Sequence, residues 1–456
     1  MIYDNVLQLI GNTPIVEIKC FDIGQSRLFV KLENQNPGGS IKDRVGLSMI
    51  ENAEKDGIIK PGDTLIEATA GNTGLGLALA ASRKGYKLIL VIPDKMSQEK
   101  ISHLKAMGAE IILTRSDVLK GHPDYYQDKA EHISKQIPGS YYLNQFNNKY
   151  NPLAHETTTG PEILSEMNGR VDAVVVGVGS AGTITGLSAF FKQEKPDTEF
   201  VLADPKGSIL RDYYLGNSCN NSGSWLVEGI GEDFIPEQCN FELVKKAYTI
   251  SDSESFLIAR RLLKEEGIFA GSSTGVLVAA AIKYAKEQTT PKNIVTFACD
   301  SGNKYLSKMF NDYWMADNGF ITKEEKGDLT DIISRSYFDK AVVSLSPTDT
   351  LTQAYQNMKM YSISQLPILE KEQVIGIIDE YDILLAIESE GNKCFERPVA
   401  EFMSKQLKTL KPSDDITTLV EVLKNGLTAI IADEYYFYGL ITKIDYINFL
   451  RRRINE

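Results

Sequence analysis

The chain has 456 residues, 43% of them hydrophobic and 24% charged, which is the balance of a globular protein with room for two or three domains. Its formal net charge of −12 argues against a nucleic-acid partner but leaves space for a local site that holds one small anion. No apolar run is long enough to span a bilayer, so no membrane partner is expected.

To about Phe320, short apolar β-branched runs alternate with amphipathic stretches. The first strand expected is Leu28–Leu32, and "NPGGSIKDR" follows at Asn36–Arg44. Gly38 and Gly39 allow a tight turn there, and Lys42 falls at a helix start, where loss of water would lower its pKa and suit it to Schiff-base chemistry. A strand over Thr64–Ala68 leads into "EATAGNTGLGLA" and a helix over Leu75–Lys84. Thr69, Asn72 and Thr73 offer side-chain hydrogen bonds at that turn, and the N–H groups of the helix start favour an anion such as a carboxylate. A strand over Leu88–Ile92, a helix over Gln98–Met107 and a strand over Glu110–Leu113 come next.

The strand Val171–Val178 is the strongest in the chain and runs into "GVGSAGTITG" at Gly177–Gly186. Small residues there let the backbone close on a phosphate. The spacing also resembles a dinucleotide fingerprint, but the only acidic residue at a suitable distance is Asp204, in "DPKGS". Strands over Phe200–Ala203 and Asn293–Ala298 flank a helix over Ser253–Glu266, and "CDSGNKY" closes the series at Cys299–Tyr305. Near-continuous apolar strands alternating with helices imply α/β architecture, with parallel sheet covered on both faces and two such units sharing a cleft.

Past Phe320 the pattern changes. Thr322–Asp331 is charged without apolar periodicity and reads as an exposed linker. Two similar units follow, from "VVSLSPTDTLTQAYQNM" to "VIGIIDEYDILLAI" and from "LKTLKPSDDITTLVEVL" to "FYGLITKIDYINFL". Pro347 and Pro412 stand 65 residues apart, and Asp382 and Asp445 stand 63 apart, so the period is nearly constant. The division expected is 1–320, a linker over 321–340, and a repeat module over 341–456.

The segments "IGNTP" at Ile10–Pro14, "GGSIKDR", "GNTG", "QF" at Gln145, "TTTGPEI" and the glycine loop stand in one order. Together they resemble the cysteine synthase and cystathionine β-synthase family, the fold-type II pyridoxal-phosphate enzymes, from Asn5 to about Phe320. "NPLAH", "DPKGSIL" and "EGIGEDFIP" look closer to the cystathionine β-synthases, and the appended repeats resemble a tandem CBS-domain (Bateman) module. The resemblance implies two α/β subdomains, pyridoxal 5'-phosphate as cofactor, and β-replacement that condenses L-serine with L-homocysteine to L-cystathionine. O-acetylserine-dependent cysteine or cystathionine synthesis is the alternative, and a catalytically silent regulatory protein on this scaffold is the alternative of another class.

By the same resemblance, Lys42 forms the Schiff base and Asn72 meets the cofactor's phenolic oxygen. Gly179, Ser180, Ala181, Gly182 and Thr183 hold its phosphate, and Ser301 faces its pyridine nitrogen, although an ordinary helix N-cap is the plain role of that serine. Thr69, Ala70, Asn72, Thr73 and Gln145 surround the substrate carboxylate. Three positions depart from the family pattern: Ala70 for a serine, Ser180–Ala181 for Thr-Gly, and Phe146 for the tyrosine of eukaryotic cystathionine β-synthases. In the repeats, a hydroxyl residue three positions before an aspartate is the usual ribose contact. Thr442 and Asp445 supply it, whereas the first repeat has Asp379 and Asp382, where two carboxylates would repel a phosphate. S-adenosylmethionine is the adenosyl ligand expected at Thr442 and Asp445. A homodimer or higher assembly is implied.

The chain opens at the catalytic core, so no haem is expected. Cys20, Cys219, Cys239, Cys299 and Cys394 form no CxxC pair or Cys/His cluster, so no metal is expected either. Scattered cysteines, and an N-terminus without a signal pattern, point to the cytoplasm. Of the four histidines only His155 lies in a family motif, and a structural role is expected for it.

Overall fold

The computed structural model describes residues 2–69, 71–94, 96, 98–118, 120–219, 222–321 and 325–454, without the side chains of Gln98, Glu99 and Ile454. The chain divides into two compact units, Met1–Phe310 and Asn311–Glu456.

The first unit contains two sheets. One has six strands in the order Ile15–Ile18, Arg27–Lys31, Asn293–Phe297, Ala173–Val176, Glu199–Pro205 and Val244–Ile250. The other has four, in the order Glu110–Thr114, Lys87–Pro93, Thr64–Ala68 and Ser140–Tyr142. All neighbours are parallel except Ile15–Ile18, which runs antiparallel to Arg27–Lys31 at the edge of the larger sheet. That edge strand departs from the all-parallel expectation. Its sequence, IVEI, is too short and too exposed to stand out by periodicity. The central strand Ala173–Val176 is buried at every residue, as a strand covered on both faces must be.

Two helices bring the chemistry together. Lys42–Lys55 and Asn72–Lys84 cross at Gly46 and Gly76. A Cβ on Gly76 would stand 2.5 Å from the Lys42 carbonyl oxygen, and one on Gly46 would stand 2.6 Å from the Gly76 carbonyl carbon. The two backbones therefore touch, and the N-termini that carry Lys42 and Asn72 face the same space. Apolar side chains of both helices, among them Val45, Met49, Leu75 and Leu77, pack into one core with Leu65, Leu88 and Leu90 of the smaller sheet.

In the second unit each repeat places a helix, a β-hairpin and a second helix in the same order. The first has Leu351–Tyr361, the antiparallel pair Gln365–Glu370 and Gln373–Asp379, and Glu380–Glu390. The second has Ile416–Lys424, the pair Ala429–Ala432 and Phe437–Ile441, and Lys443–Ile454. The repeats also exchange segments. Leu329, Ile332 and Ile333 precede the first repeat but pack in the core of the second. Val399, Phe402 and Met403 precede the second but pack in the core of the first. Backbone bridges repeat the exchange, Ser336 with Gly439 and Ser404 with Ile377.

The expected linker over 321–340 is corrected accordingly. Thr322, Lys323 and Glu324 lie outside the described residues, but Leu329–Ile332 forms a 3-10 helix, and Leu329 donates its N–H to the Pro412 carbonyl at 3.0 Å. Three apolar residues among charges are too few to show periodicity, yet they are what the second repeat needs to close its core. The boundary falls at Phe310, not Phe320, because Asp312–Asp317 is a helix of the second unit.

Candidate active site

Lys42 opens the helix Lys42–Lys55, directly after the Gly38–Gly39 turn, and borders a cleft of about 620 Å³ in the first unit. Loss of surrounding water holds its amine below the usual lysine pKa, against the opposing pull of Cys299, Asp300 and Glu232. Desolvation makes the proton easier to lose, and the free amine is a nucleophile and a base. Its helix is anchored from below by buried ion pairs. Arg44 meets Glu33 at 2.8 Å and Glu162 at 2.7 Å, and Lys31, fully buried, meets Glu162 at 3.0 Å and Glu166 at 2.9 Å. Removing one partner would leave an uncompensated charge in the core, so this network fixes the register of the Lys42 helix.

The loop Gly179–Thr183 lies across the cleft, at the N-terminus of the helix Gly182–Glu194. Its shape is braced from behind. Asn151 Nδ2 donates to Ser180 Oγ at 2.9 Å, and Gln238 Nε2 donates to the Ser180 carbonyl at 2.6 Å. Gly182 is packed so closely that a Cβ there would stand 1.9 Å from Asn151 Oδ1. The buried His155 ring reaches Thr183 Oγ1 through Nε2 at 3.3 Å and Thr159 Oγ1 through Nδ1 at 3.0 Å. Burial keeps that imidazole far below its ordinary pKa, with Lys42 and Arg44 adding to the effect. Neutral His155 therefore orients the Thr183 hydroxyl, a more specific structural role than its sequence suggested.

Thr69, Asn72, Thr73 and Gln145 border the same cleft. Thr73 Oγ1 donates to Gln145 Oε1 at 2.6 Å, across 72 residues of chain. Beneath them, Glu67 Oε2 accepts from the Gln145 N–H at 3.2 Å, and burial pushes this carboxyl up to about 8. Ala70 lies outside the described residues. Phe146 also borders the cleft and packs edge-on against Phe234, with centroids 5.3 Å apart.

Ser301 is the correction. It is not among the cleft residues, and its hydroxyl accepts from the Asn303 N–H as the N-cap of a short 3-10 helix. Ser273 takes its place in the cleft, 4% exposed, at the start of the helix Ser272–Lys286 and beside the Cys299 thiol. The run "AGSSTG" at Ala270–Gly275, small residues opening a long helix, is the signal that could have found it.

The cleft holds further ionisable groups that sequence reasoning passed over. Glu232 borders it, and burial pushes its carboxyl up to about 8, with Asp233 and Asp204 adding to the rise and Lys42 opposing it. Lys100 and Lys308 also border it, and both pair with Glu228, Lys308 at 2.7 Å. Among the described residues no cluster of His, Cys, Asp or Glu is arranged to hold a metal ion.

These groups fit pyridoxal phosphate. A desolvated lysine faces the cleft, an uncharged loop with tightly packed backbone and two hydroxyls suits a phosphate, and Ser273 offers a neutral hydroxyl that could meet a ring nitrogen. Thr442 and Asp445 are side by side in the second unit. Thr442 donates from both N–H and Oγ1 to Asp445 Oδ2, at 2.7 and 2.5 Å. Asp379 and Asp382 form a capping box at the corresponding helix of the first repeat.

The model of the family described as "Pyridoxal-phosphate dependent enzyme" matches residues 6–300, and that of the CBS domain matches 329–389 and 399–452. The cystathionine beta-synthase of Dictyostelium discoideum is 38% identical over 99% of this chain and 93% of its own length. The cysteine synthase of Staphylococcus aureus strain Mu50 is 42% identical over 67% of this chain and 96% of its own. The crystal structure of an O-acetylserine dependent cystathionine beta-synthase from Helicobacter pylori matches 68% of this chain and 98% of that one, at TM-score 0.63 and 37% identity. With a desolvated lysine, a small-residue loop and a cluster of amides and hydroxyls in one cleft, the chain belongs to the pyridoxal-phosphate dependent enzymes, in their cystathionine β-synthase and cysteine synthase branch, as a β-replacement enzyme with a CBS-domain pair.

Proposed function

We propose that this enzyme condenses L-serine with L-homocysteine to give L-cystathionine and water. The observation that carries this reading is Glu232, a carboxyl held near pKa 8 in the same cleft as Lys42. Hydroxide is a poor leaving group, so a serine-dependent enzyme needs an acid that is protonated at neutral pH, whereas acetate departs without one. Glu232 gives its proton to the serine hydroxyl as the C–O bond breaks, and water leaves. The homocysteine thiol returns a proton to Glu232 as the C–S bond forms, so the carboxyl ends as it began.

When bound, pyridoxal phosphate supplies an aldehyde that captures amines and a ring that withdraws electrons from the substrate's α-carbon. Lys42 removes the α-proton and gives it back. The loop Gly179–Thr183 would hold the cofactor's phosphate, Asn72 would donate to its phenolic oxygen, and Ser273 would meet its ring nitrogen. A neutral serine does not keep that nitrogen protonated as a carboxylate would, which favours loss of the β-substituent over transamination. Thr69, Thr73 and Gln145 hold the substrate carboxylate. Lys100 and Lys308 border the cleft as cations that can meet the carboxylate of an amino-acid thiol. Inorganic sulfide has no such group.

O-acetylserine is the second donor. Phe146 presents a bare ring against Phe234, without the hydroxyl of a tyrosine, and the Helicobacter pylori relative is named for O-acetylserine dependence. Serine and O-acetylserine are therefore to be assayed side by side, each with homocysteine and with sulfide. Cystathionine from both donors is expected. Cysteine from O-acetylserine and sulfide, with no cystathionine from either donor, would overturn the assignment.

We further infer that the repeat module binds S-adenosylmethionine once, at Thr442 and Asp445. Support comes from the asymmetry between a hydroxyl–carboxylate pair there and the two carboxylates of Asp379 and Asp382. The ligand's sulfonium charge suits an acidic chain. Calorimetry on the full chain should show S-adenosylmethionine binding that Asp445→Ala abolishes and Asp379→Ala preserves. The module also supports assembly into at least a homodimer. Tyr381 and Leu384 in one repeat, and Ile444 and Ile447 at the same positions of the other, are 63%, 51%, 60% and 48% exposed, a paired apolar face suited to a second copy. Five cysteines without disulfides fit a reducing, cytoplasmic setting, and no helix among the described residues is long and apolar enough to cross a membrane.

A further inference from the structure

Behind the cleft, the amide of Asn72 is held between two oppositely charged side chains. Asn72 Nδ2 donates to Asp300 Oδ2 at 2.8 Å, and Asn72 Oδ1 accepts from Lys304 Nζ at 2.6 Å. Neither partner can exchange roles: an ammonium only donates, and an ionised carboxylate only accepts. The charges therefore dictate which end of the amide points which way. One Nδ2 hydrogen is used by Asp300, and among the described residues the other has no protein acceptor. It belongs to a side chain that borders the cleft.

Both partners are built into the fold. Asp300 is 1% exposed, its Oδ2 also accepts from Tyr305 Oη at 2.8 Å, and among the described residues its Oδ1 has no partner. A Cβ on Gly271 would stand 2.0 Å from that Oδ1, so the backbone is shaped around the carboxylate. Burial raises the Asp300 pKa, and Lys304 is the first group that opposes the rise. Lys304 also reaches the Gly39 carbonyl at 3.4 Å, in the turn that leads to Lys42. One ammonium thus ties the Asn72 loop to the lysine-bearing turn.

We infer that Asp300 and Lys304 are positioning residues that lock the Asn72 amide with an N–H, and never its oxygen, toward the phenolic oxygen of the cofactor. This rests on the placement of Asn72 at that oxygen given above. A donor there stabilises the ionised phenolate and the visible-absorbing form of the bound cofactor. An acceptor stabilises the neutral phenol, which absorbs in the near ultraviolet. Without the Lys304 charge, Asp300 takes up a proton and becomes a donor, and the amide can turn over to present Oδ1.

The test is the absorption spectrum of protein loaded with pyridoxal phosphate to equal, chemically measured stoichiometry. Lys304→Met should lose at least half of the visible band to the near ultraviolet, and Lys304→Arg, which still only donates, should keep it. The double variant Lys304→Met with Asp300→Asn leaves no unpaired buried charge. It should fold even if the single variant does not, and should show both bands. Asn72→Asp removes the donor outright and sets the reference for its loss. If Asn72→Asp changes the spectrum while the Lys304 variants keep the parent's, the lock is wrong and the Asn72 placement stands. If Asn72→Asp itself keeps the parent's spectrum, the placement is wrong and the inference falls with it.

Discussion

The two units handle buried polarity in opposite ways. In Met1–Phe310 the interior holds Lys31, Glu33, Asp43, Arg44, Glu67, Asp204 and Asp300, together with many hydroxyls and amides. Among the described residues of Asn311–Glu456, no polar or charged side chain is fully buried. The same division holds for buried side-chain atoms without a partner, such as those of Asp43, Asn151 and Asp300, all of which precede Phe310. Burying a polar group is costly unless something compensates for it, so a fold keeps such groups where chemistry requires them. The first unit spends stability on reactivity. The second is held by apolar packing, and its polar pairs sit at helix ends where solvent or a ligand can reach them.

The comparison breaks most sharply at Lys42. Lys42→Ala should lower turnover by about 10²–10⁴-fold, the usual contribution of a positioned base, and abolish visible absorption by the loaded protein. The buried ion pairs of Arg44 are untouched, so the melting temperature should change little. A variant that kept its chromophore would show that a different amine carries the chemistry.

Glu232 sharpens the comparison, because its burial is useful only for one donor. Glu232→Gln should lower kcat with serine by about 10²-fold, the lower end for general acid catalysis, and leave O-acetylserine turnover nearly unchanged. In the parent enzyme, serine turnover should fall as pH rises through about 8, where the acid form is lost. Stability follows the same sign. Glu67 and Glu232 bind protons more tightly folded than unfolded, so their contribution is full below the ordinary value of 4.5 and is lost as pH rises through about 8. Equal loss with both donors would remove Glu232 from the leaving-group step.

In the second unit the sensitive positions are apolar. Ile332→Ala should destabilise the module by about 2–5 kcal/mol, the range for truncating a buried isoleucine, as read from its denaturant midpoint. A solvent-exposed linker would lose almost nothing. The measurement thus separates a core segment shared between repeats from a tether.

The sequence made some of this legible and hid the rest for physical reasons. Thr64–Ala68 is the observed strand to the residue, and Lys42 opens its helix as expected, because β-branched runs and glycine turns are local signals. Ser301 was misplaced because a serine after a strand and a serine at a helix start look equally able to donate. Only the tertiary fold turns Ser273 into the cleft and leaves Ser301 as a cap. Glu232, Lys100 and Lys308 escaped for a related reason. Each is an ordinary charge in its own segment and becomes part of a site only when segments more than a hundred residues apart converge. Leu329 and Ile332 were hidden by the charges around them, since their partners lie in the far repeat.

The smallest effect lies where the first unit departs from its family's phosphate loop. Ala181 adopts φ +65°, in the left-handed region, where the family pattern has glycine. An alanine there places Cβ against the neighbouring carbonyl at a cost of about 1–2 kcal/mol, which glycine avoids. Its side chain is 3% exposed, so some packing is recovered. Ala181→Gly relieves the backbone strain but gives the unfolded chain more freedom to lose, which offsets part of the gain. The net expectation is about 0.5–1 kcal/mol of added stability with unchanged affinity for pyridoxal phosphate, because backbone N–H groups rather than the methyl would face the phosphate. Thermal unfolding of cofactor-free and cofactor-loaded protein reads both quantities. A higher melting temperature with weaker cofactor binding would mean that the strained alanine preorganises the loop. In that case the first unit gives up stability for function in its backbone as well as in its buried charges.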